Sequence, residues 1–281
     1  MTAGDDARSR LLVERGMGIA APYRTTEGVI GAFVFGSASR PYADERSDVD
    51  VQIVVENGSP LAKVTDRLDS RQTDGTARVA DVWFIATSEL ERLLGLRADM
   101  HRRRVSKAVV LFDTGDTIAR LVARAAEMPE SVRAEAMRVH HAEVTALARS
   151  IVSAETRGKT AALHLLATTL VTAAGNLLFY ARHEWPIATS WMFEELAIAG
   201  VPSDILEDLR ALCTAPSAAV ARRLGDSVDA YLASRGVDES GSADAAARIA
   251  ARERFGGEAT RLDFLDEDDC ISAVARPERA E

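Results

Sequence analysis

The chain has 281 residues, of which 47% are hydrophobic and 27% are charged, a balance that supports a sizeable core and excludes wholesale disorder. Its formal net charge is −9, opposite in sign to that of a typical phosphate-backbone binder, so a nucleic-acid partner is possible through a local patch but is not favoured. The two cysteines form no metal-binding spacing with the five histidines, and residues 1–10 contain no apolar leader, so we expect a reduced, cytoplasmic setting.

The first part of the chain combines strand and helix patterns. Residues 48–55 alternate between two kinds of side chain, which predicts a strand with two different faces. The other predicted strands are apolar and cover residues 29–35, 77–86 and 109–112. Helical spacing predicts short helices over residues 8–16, 61–68 and 88–96, and a turn is predicted at residues 73–75. We therefore expect a small mixed sheet flanked by helices.

After about residue 115 the strand pattern disappears. Apolar periodicity predicts helices over residues 137–154, 160–182, 191–200, 204–213 and 218–233. Residues 161–181 carry no charge and could span a bilayer by length, but their polar and small residues favour the central helix of a bundle and no membrane partner. The predicted fold class is α+β, with an α/β domain over residues 1–125, an all-α helical bundle over residues 126–236 and a polar, partly disordered acidic tail over residues 237–281.

The chemistry-bearing residues lie at the facing ends of two predicted strands. One strand ends in Gly36 and Ser37, and the next opens with Asp48 and Asp50. Because residues i and i+2 of a strand share a face, the two carboxylates project together; they repel unless a cation lies between them, and Mg²⁺ prefers oxygen ligands. Gly36 lets a ligand approach the backbone, and Ser37 with the N–H groups after it can hold phosphate oxygens. These residues predict a site for a metal-bound nucleoside triphosphate.

This order of apolar strand, Gly-Ser turn and Asp-x-Asp resembles the signature of the nucleotidyltransferase superfamily that includes DNA polymerase β, and of its small bacterial members in particular. Arg40 and Ser47 also match the pattern, whereas Pro41 stands where the family usually has Gly. The resemblance implies that Arg40 contacts the nucleotide and that Asp81 is a third carboxylate with both a metal-binding and a catalytic role. From the residues alone, Arg40 could instead pair with an acidic residue of its own loop, and Asp81 could simply start a strand.

The resemblance implies a nucleotidyltransferase domain with two Mg²⁺ ions, which moves a nucleoside monophosphate, AMP from ATP as the leading choice, to a hydroxyl of a small molecule. An aminoglycoside-like antibiotic is the leading acceptor, because an acidic protein suits a cationic one. Two alternatives stay open: transfer to tRNA or to a protein, as in toxin–antitoxin modules, and a non-catalytic regulator that binds nucleotide. The basic run at residues 102–104 is expected to be a solvated helix face, and would favour RNA if it lined the cleft. No pattern indicates an oligomeric state.

Overall fold

The computed structural model of the protein describes residues 3–63, 65–71, 77–95, 99–187 and 189–237. Its strands are β1 (Val29–Phe35), β2 (Val49–Val55), β3 (Thr65–Arg71), β4 (Ala77–Ala86) and β5 (Val109–Asp113). Its helices are α1 (Ala3–Ala20), α2 (Thr87–Gly95), α3 (Asp99–Ser106), α4 (Thr117–Ala126), α5 (Glu130–Thr156), α6 (Thr160–Ala181), α7 (Met192–Ile198), α8 (Ser203–Thr214) and α9 (Ala218–Ser234). The predicted α+β class, a small mixed sheet followed by helices, is confirmed.

The five strands form one mixed sheet in the order β3-β4-β2-β1-β5. Neighbouring strands run antiparallel except β2 and β4, which are parallel. The predicted helix over residues 61–68 is wrong, because a 3₁₀ turn at Pro60–Lys63 leads into β3. Along its whole length β3 pairs with the edge of β4, and this pairing overrides the local helical pattern. The predicted turn at residues 73–75 lies outside the described residues.

Helices cover both faces of the sheet. One apolar cluster packs α1 against β1 and β2, and a second packs α2, α3 and α4 against the opposite face. Val34, Val49 and Val51 are fully buried under α1. Gly16 lets α1 approach closely, since a Cβ at this position would collide with Val34. This packing fixes which face each residue of β2 occupies, and therefore where its carboxylates point.

The remaining helices form a bundle around α6. Leu170, Leu177 and Leu178 of α6 are fully buried, and a Cβ on Gly175 would collide with Met192 of α7. Within residues 130–187 and 189–237 the structure contains no strand. Among the described helices, only α6 is long and apolar enough to cross a membrane, and half of its most apolar stretch is buried inside the bundle, as is typical of a core helix.

The predicted domain boundary at residue 125 lies close to the connection between α4 and α5. Helix α4 ends at Ala126 and α5 begins at Glu130, close to the expected division at residue 125. The boundaries of the domains 1–125 and 126–236 nevertheless stay predictions. The acidic tail lies outside the described residues, which end at Val237.

Candidate metal centre

Three aspartates meet on one face of the sheet, where β2 and β4 run side by side. One carboxylate oxygen from each of Asp48, Asp50 and Asp81 lies within 4.8 Å of the others, and all three side chains are partly exposed. Asp50 of β2 stands directly beside Asp81 of β4 in the parallel register. Asp48 immediately precedes β2 and is two residues from Asp50, so it projects to the same side. Three clustered carboxylates can hold a divalent cation with oxygen-preferring coordination, of which Mg²⁺ is the commonest example.

The local sequence leaves these carboxylates only one face to occupy. Val49 and Val51, which alternate with Asp50, are fully buried against α1, and Ala80 and Val82, which flank Asp81, are fully buried as well. A shift of one residue in the register of β2 would bury Asp50 and expose two valines, so the hydrophobic pattern specifies the register strongly. The parallel pairing of β2 with β4 then brings the third carboxylate alongside.

The turn after β1 packs directly against this cluster. Gly36 has a φ of +69°, and a Cβ at this position would lie 2.5 Å from Oδ2 of Asp50. Any other residue would therefore both strain the backbone and displace the Asp50 carboxylate. The 3₁₀ turn Gly36–Ser39 that begins here carries Ser37, which is partly exposed. The backbone of the predicted phosphate-binding turn and the predicted metal ligands are thus neighbours.

Hydrogen bonds hold the turn in place. The Ser39 hydroxyl donates to the Gly36 carbonyl at 3.0 Å, and the Arg40 N–H donates to the Ser37 carbonyl at 3.0 Å. From α1, the Ser9 hydroxyl donates to the Ala38 carbonyl at 2.7 Å. These hydrogen bonds restrict the conformation of the turn, which would lower the entropic cost of binding a ligand there.

The loop before the aspartates is also braced. Ser47 is buried, and its hydroxyl accepts a hydrogen bond from the Asp44 N–H at 2.9 Å and donates to Asp44 Oδ1 at 3.0 Å. Partial desolvation alone would raise the pKa of Asp44, but the hydrogen bonds that its carboxylate accepts from the Ser47 hydroxyl and the Arg46 N–H outweigh it, so the pKa is lowered. Ser47, which matches the family pattern, is therefore a loop residue that fixes the chain just ahead of Asp48.

Arg40 lies in an ion pair with the helical bundle. It is only 6% exposed, and its Nε lies 3.3 Å from Oε1 of Glu195 on α7. Its expected alternatives within the same loop, Asp44 and Glu45, are both exposed. The contact of Arg40 with a nucleotide stays a prediction, as do the individual roles of the other site residues.

The basic run at residues 102–104 does not form the expected solvated helix face. Arg103 is only 3% exposed and pairs with Glu195 and Glu184. Arg102 and Arg104 lie over aromatic rings, with guanidinium carbons 4.9 Å from the ring centroid of Trp185 and 4.8 Å from that of Phe35. The run turns inward because α3 packs against the sheet and contacts the bundle, where aromatic rings, the buried Glu195 and the partly exposed Glu184 compensate its charge.

Sequence reasoning missed Glu195, although one signal was available. Helical spacing puts Glu195 on the same face as Met192 and Leu196, which are buried. A charged residue at an apolar position of a helix requires a buried partner of opposite charge. The sequence signal therefore indicates that a partner exists, but it does not say that the partners are Arg40 and Arg103.

One solved structure similar to this chain is a nucleotidyltransferase-like protein from Exiguobacterium sibiricum, which is 14% identical, with 87% of this chain and 81% of that chain covered and a TM-score of 0.44. No protein-family model matches the chain, and no curated protein matches it. The function of the chain is therefore inferred from its own residues.

Proposed function

We propose that the protein is a magnesium-dependent nucleotidyltransferase that moves a nucleoside monophosphate, AMP from ATP as the leading case, to a hydroxyl of a small cationic acceptor. The observation that supports this most directly is the packing of the Gly36 turn against the cluster of Asp48, Asp50 and Asp81. Carboxylates supply hard oxygen ligands for metal, and an N–H-lined turn supplies donors for phosphate. The two components suit a metal-bound triphosphate.

In this mechanism, Asp48 and Asp50 would hold the metal that accompanies the triphosphate, and Asp81 would complete the metal site on the side of the acceptor. Bound Mg²⁺ supplies charge neutralisation on the phosphate oxygens, which carry the developing charge during the transfer. Gly36 and Ser37 position the β and γ phosphates. Asp81 orients the acceptor hydroxyl and accepts its proton, while the acceptor oxygen bonds to the α phosphorus and the bond to pyrophosphate breaks.

The acceptor class follows from charge. The protein has a formal net charge of −9, and a carboxylate-lined site attracts cations. An aminoglycoside-like antibiotic has both the positive charge and the hydroxyls. Because Arg103 is buried and Arg102 and Arg104 stack on aromatic rings, this run supports RNA binding less than a solvated basic face would. Three clustered carboxylates also exceed what a regulator that only binds nucleotide requires.

The test is incubation of the full chain with each of ATP, GTP, CTP and UTP labelled on the α phosphorus, with Mg²⁺, a panel of aminoglycosides and bulk tRNA. We expect label from ATP on an aminoglycoside. Label on tRNA or on protein would establish the macromolecular alternative instead. Nucleotide binding without transfer to any acceptor would point to the regulator.

A further inference from the structure

A buried charge cluster joins the helical bundle to the loop at residues 40–47. This loop lies between the 3₁₀ turn Gly36–Ser39, called the phosphate turn below, and the aspartates. Glu195 of α7 is 4% exposed. Its Oε1 accepts a hydrogen bond from the Tyr42 hydroxyl at 2.8 Å and lies 3.3 Å from Nε of Arg40. Its Oε2 pairs with Nη2 of Arg103. Both oxygens of a carboxylate removed from water are thus occupied, as its burial requires.

Two of the three partners belong to the loop that leads from the turn to Asp48. The backbone N–H of Arg40 donates to the Ser37 carbonyl at 3.0 Å, so the residue that Glu195 holds is also the residue that closes the phosphate turn. Tyr42, two residues later, stacks on Trp191 of the bundle with ring centroids 4.7 Å apart. The bundle therefore contacts this loop at two neighbouring residues, Arg40 and Tyr42.

The negative charge of Glu195 is essential to this arrangement. Arg40 and Arg103 are both buried, and Nη2 of Arg40 donates to the Arg103 carbonyl at 3.4 Å, so the two arginines meet at Glu195. Burial alone would raise the pKa of Glu195, but Arg40, Arg103 and the Tyr42 hydroxyl outweigh it and lower the pKa. Without the Glu195 charge, Arg103 would keep Glu184 as a partner, whereas Arg40 would lose the carboxylate it pairs with and would be repelled by Arg103, so we expect Arg40 to shift.

We propose that Glu195 is a positioning residue: through Arg40 and Tyr42 it holds the phosphate turn so that Gly36 stays packed against Asp50. It acts on the nucleotide only through the loop. The proposal rests on the proposed function, in which this turn binds the triphosphate. It also gives the helical bundle a part in assembling a site whose three carboxylates all lie on or beside strands of the sheet.

The test compares Glu195→Gln, which removes the charge and keeps the shape, with Asp208→Asn. Asp208 of α8 is an equally buried carboxylate, and it pairs with the exposed Arg223 of α9 at 2.9 Å between Nε and Oδ1. Calorimetry on the full chain would give the dissociation constants for Mg²⁺–ATP and for Mn²⁺ alone. Hydrogen exchange would report the opening of residues 36–47.

For Glu195→Gln we expect Mg²⁺–ATP affinity to fall about tenfold or more, because small misplacements of positioning groups have large effects. Exchange in residues 36–47 should rise, while Mn²⁺ affinity should change less than about threefold, since the aspartates lie on or beside the paired strands. Glu195→Asp, which keeps the charge, should recover part of the loss. Asp208→Asn should lower the thermal midpoint and leave both the Mg²⁺–ATP affinity and the loop exchange unchanged.

A folded Glu195→Gln variant with wild-type Mg²⁺–ATP affinity and wild-type loop exchange would overturn the proposal. If that variant does not fold, Tyr42→Phe removes a single hydrogen bond and should weaken Mg²⁺–ATP by about two- to fivefold; no change in affinity or exchange would be equally decisive against it. If the wild type binds no nucleoside triphosphate, the proposed function fails, and loop exchange alone still decides whether Glu195 positions the turn.

Discussion

Gly36 offers a sharp perturbation of the candidate metal centre. Its φ of +69° favours glycine, and a Cβ there would lie 2.5 Å from Oδ2 of Asp50. Gly58 provides the matched control, because it also has a positive φ, +85°, but no heavy atom lies within 4 Å of its added Cβ. Gly36→Ala and Gly58→Ala therefore share the backbone penalty, and only the former displaces a carboxylate.

The left-handed backbone should lower the free energy of unfolding of both variants by about 1–2 kcal/mol. Gly36→Ala must in addition move Asp50 or the turn, so its loss should be larger. Displacing a group that orients a metal ligand typically lowers metal affinity by about 10- to 100-fold, and we expect a loss in that range for Mn²⁺ binding to Gly36→Ala. Gly58→Ala should bind Mn²⁺ as the wild type does.

The assay combines urea unfolding with a Mn²⁺ titration of the full chain. Electron paramagnetic resonance or calorimetry measures the Mn²⁺ binding. Urea unfolding separates the shared backbone cost from the local collision. Equal Mn²⁺ affinity in the two variants would refute the idea that the turn and the carboxylates form one site, whatever their stabilities.

Asp50→Asn should be folded and at least as stable as the wild type without metal in a thermal melt, because carboxylate repulsion is relieved; a clear loss of stability would contradict this. Leu170→Asp should unfold the bundle by placing an unpaired charge in its core, whereas Leu165→Asp on the exposed side of the same helix should melt normally; similar midpoints by circular dichroism would show that α6 is not central. Burial, followed by neighbouring arginines, lowers the pKa of His101 to about 4, so the unfolded chain, with a pKa near 6.5, takes up a proton first as the pH falls. The free energy of unfolding should therefore be highest above pH 6.5 and fall by about 3 kcal/mol as the pH drops towards 4; urea unfolding at several pH values should show this slope, and His101→Gln should flatten it.

The sequence predicted the parts of the site that depend on local pattern. Alternation in β2 assigned Asp48 and Asp50 to one face, and the glycine after β1 indicated a turn where a ligand can approach. These features follow from strand geometry and backbone freedom, which nearby residues determine. The position of Asp81 beside Asp50 came from the family resemblance, and the parallel pairing of β2 with β4 shows how the fold brings them together.

The features that the sequence did not predict depend on contacts between distant segments. Strand β3 forms because the edge of β4 is available to it, although residues 61–68 have a helical pattern. Arg103 is buried because α3 lies against the bundle, where Glu195 compensates its charge. Neither the pairing edge nor the buried partner can be read from the residues nearby in the chain, since both arise only in the folded protein.

Metal-dependent transfer at this site is tested by measuring the transfer of label from ATP, marked on the α phosphorus, by the wild type and by Asp50→Asn. With the acceptor found in the panel experiment, the wild type should transfer label in the presence of Mg²⁺ and should stop when the metal is chelated. Asp50→Asn, folded as shown by its melt, should transfer none. Transfer by Asp50→Asn near the wild-type rate, or transfer that persists without a divalent metal, would contradict metal-dependent nucleotidyl transfer at this site.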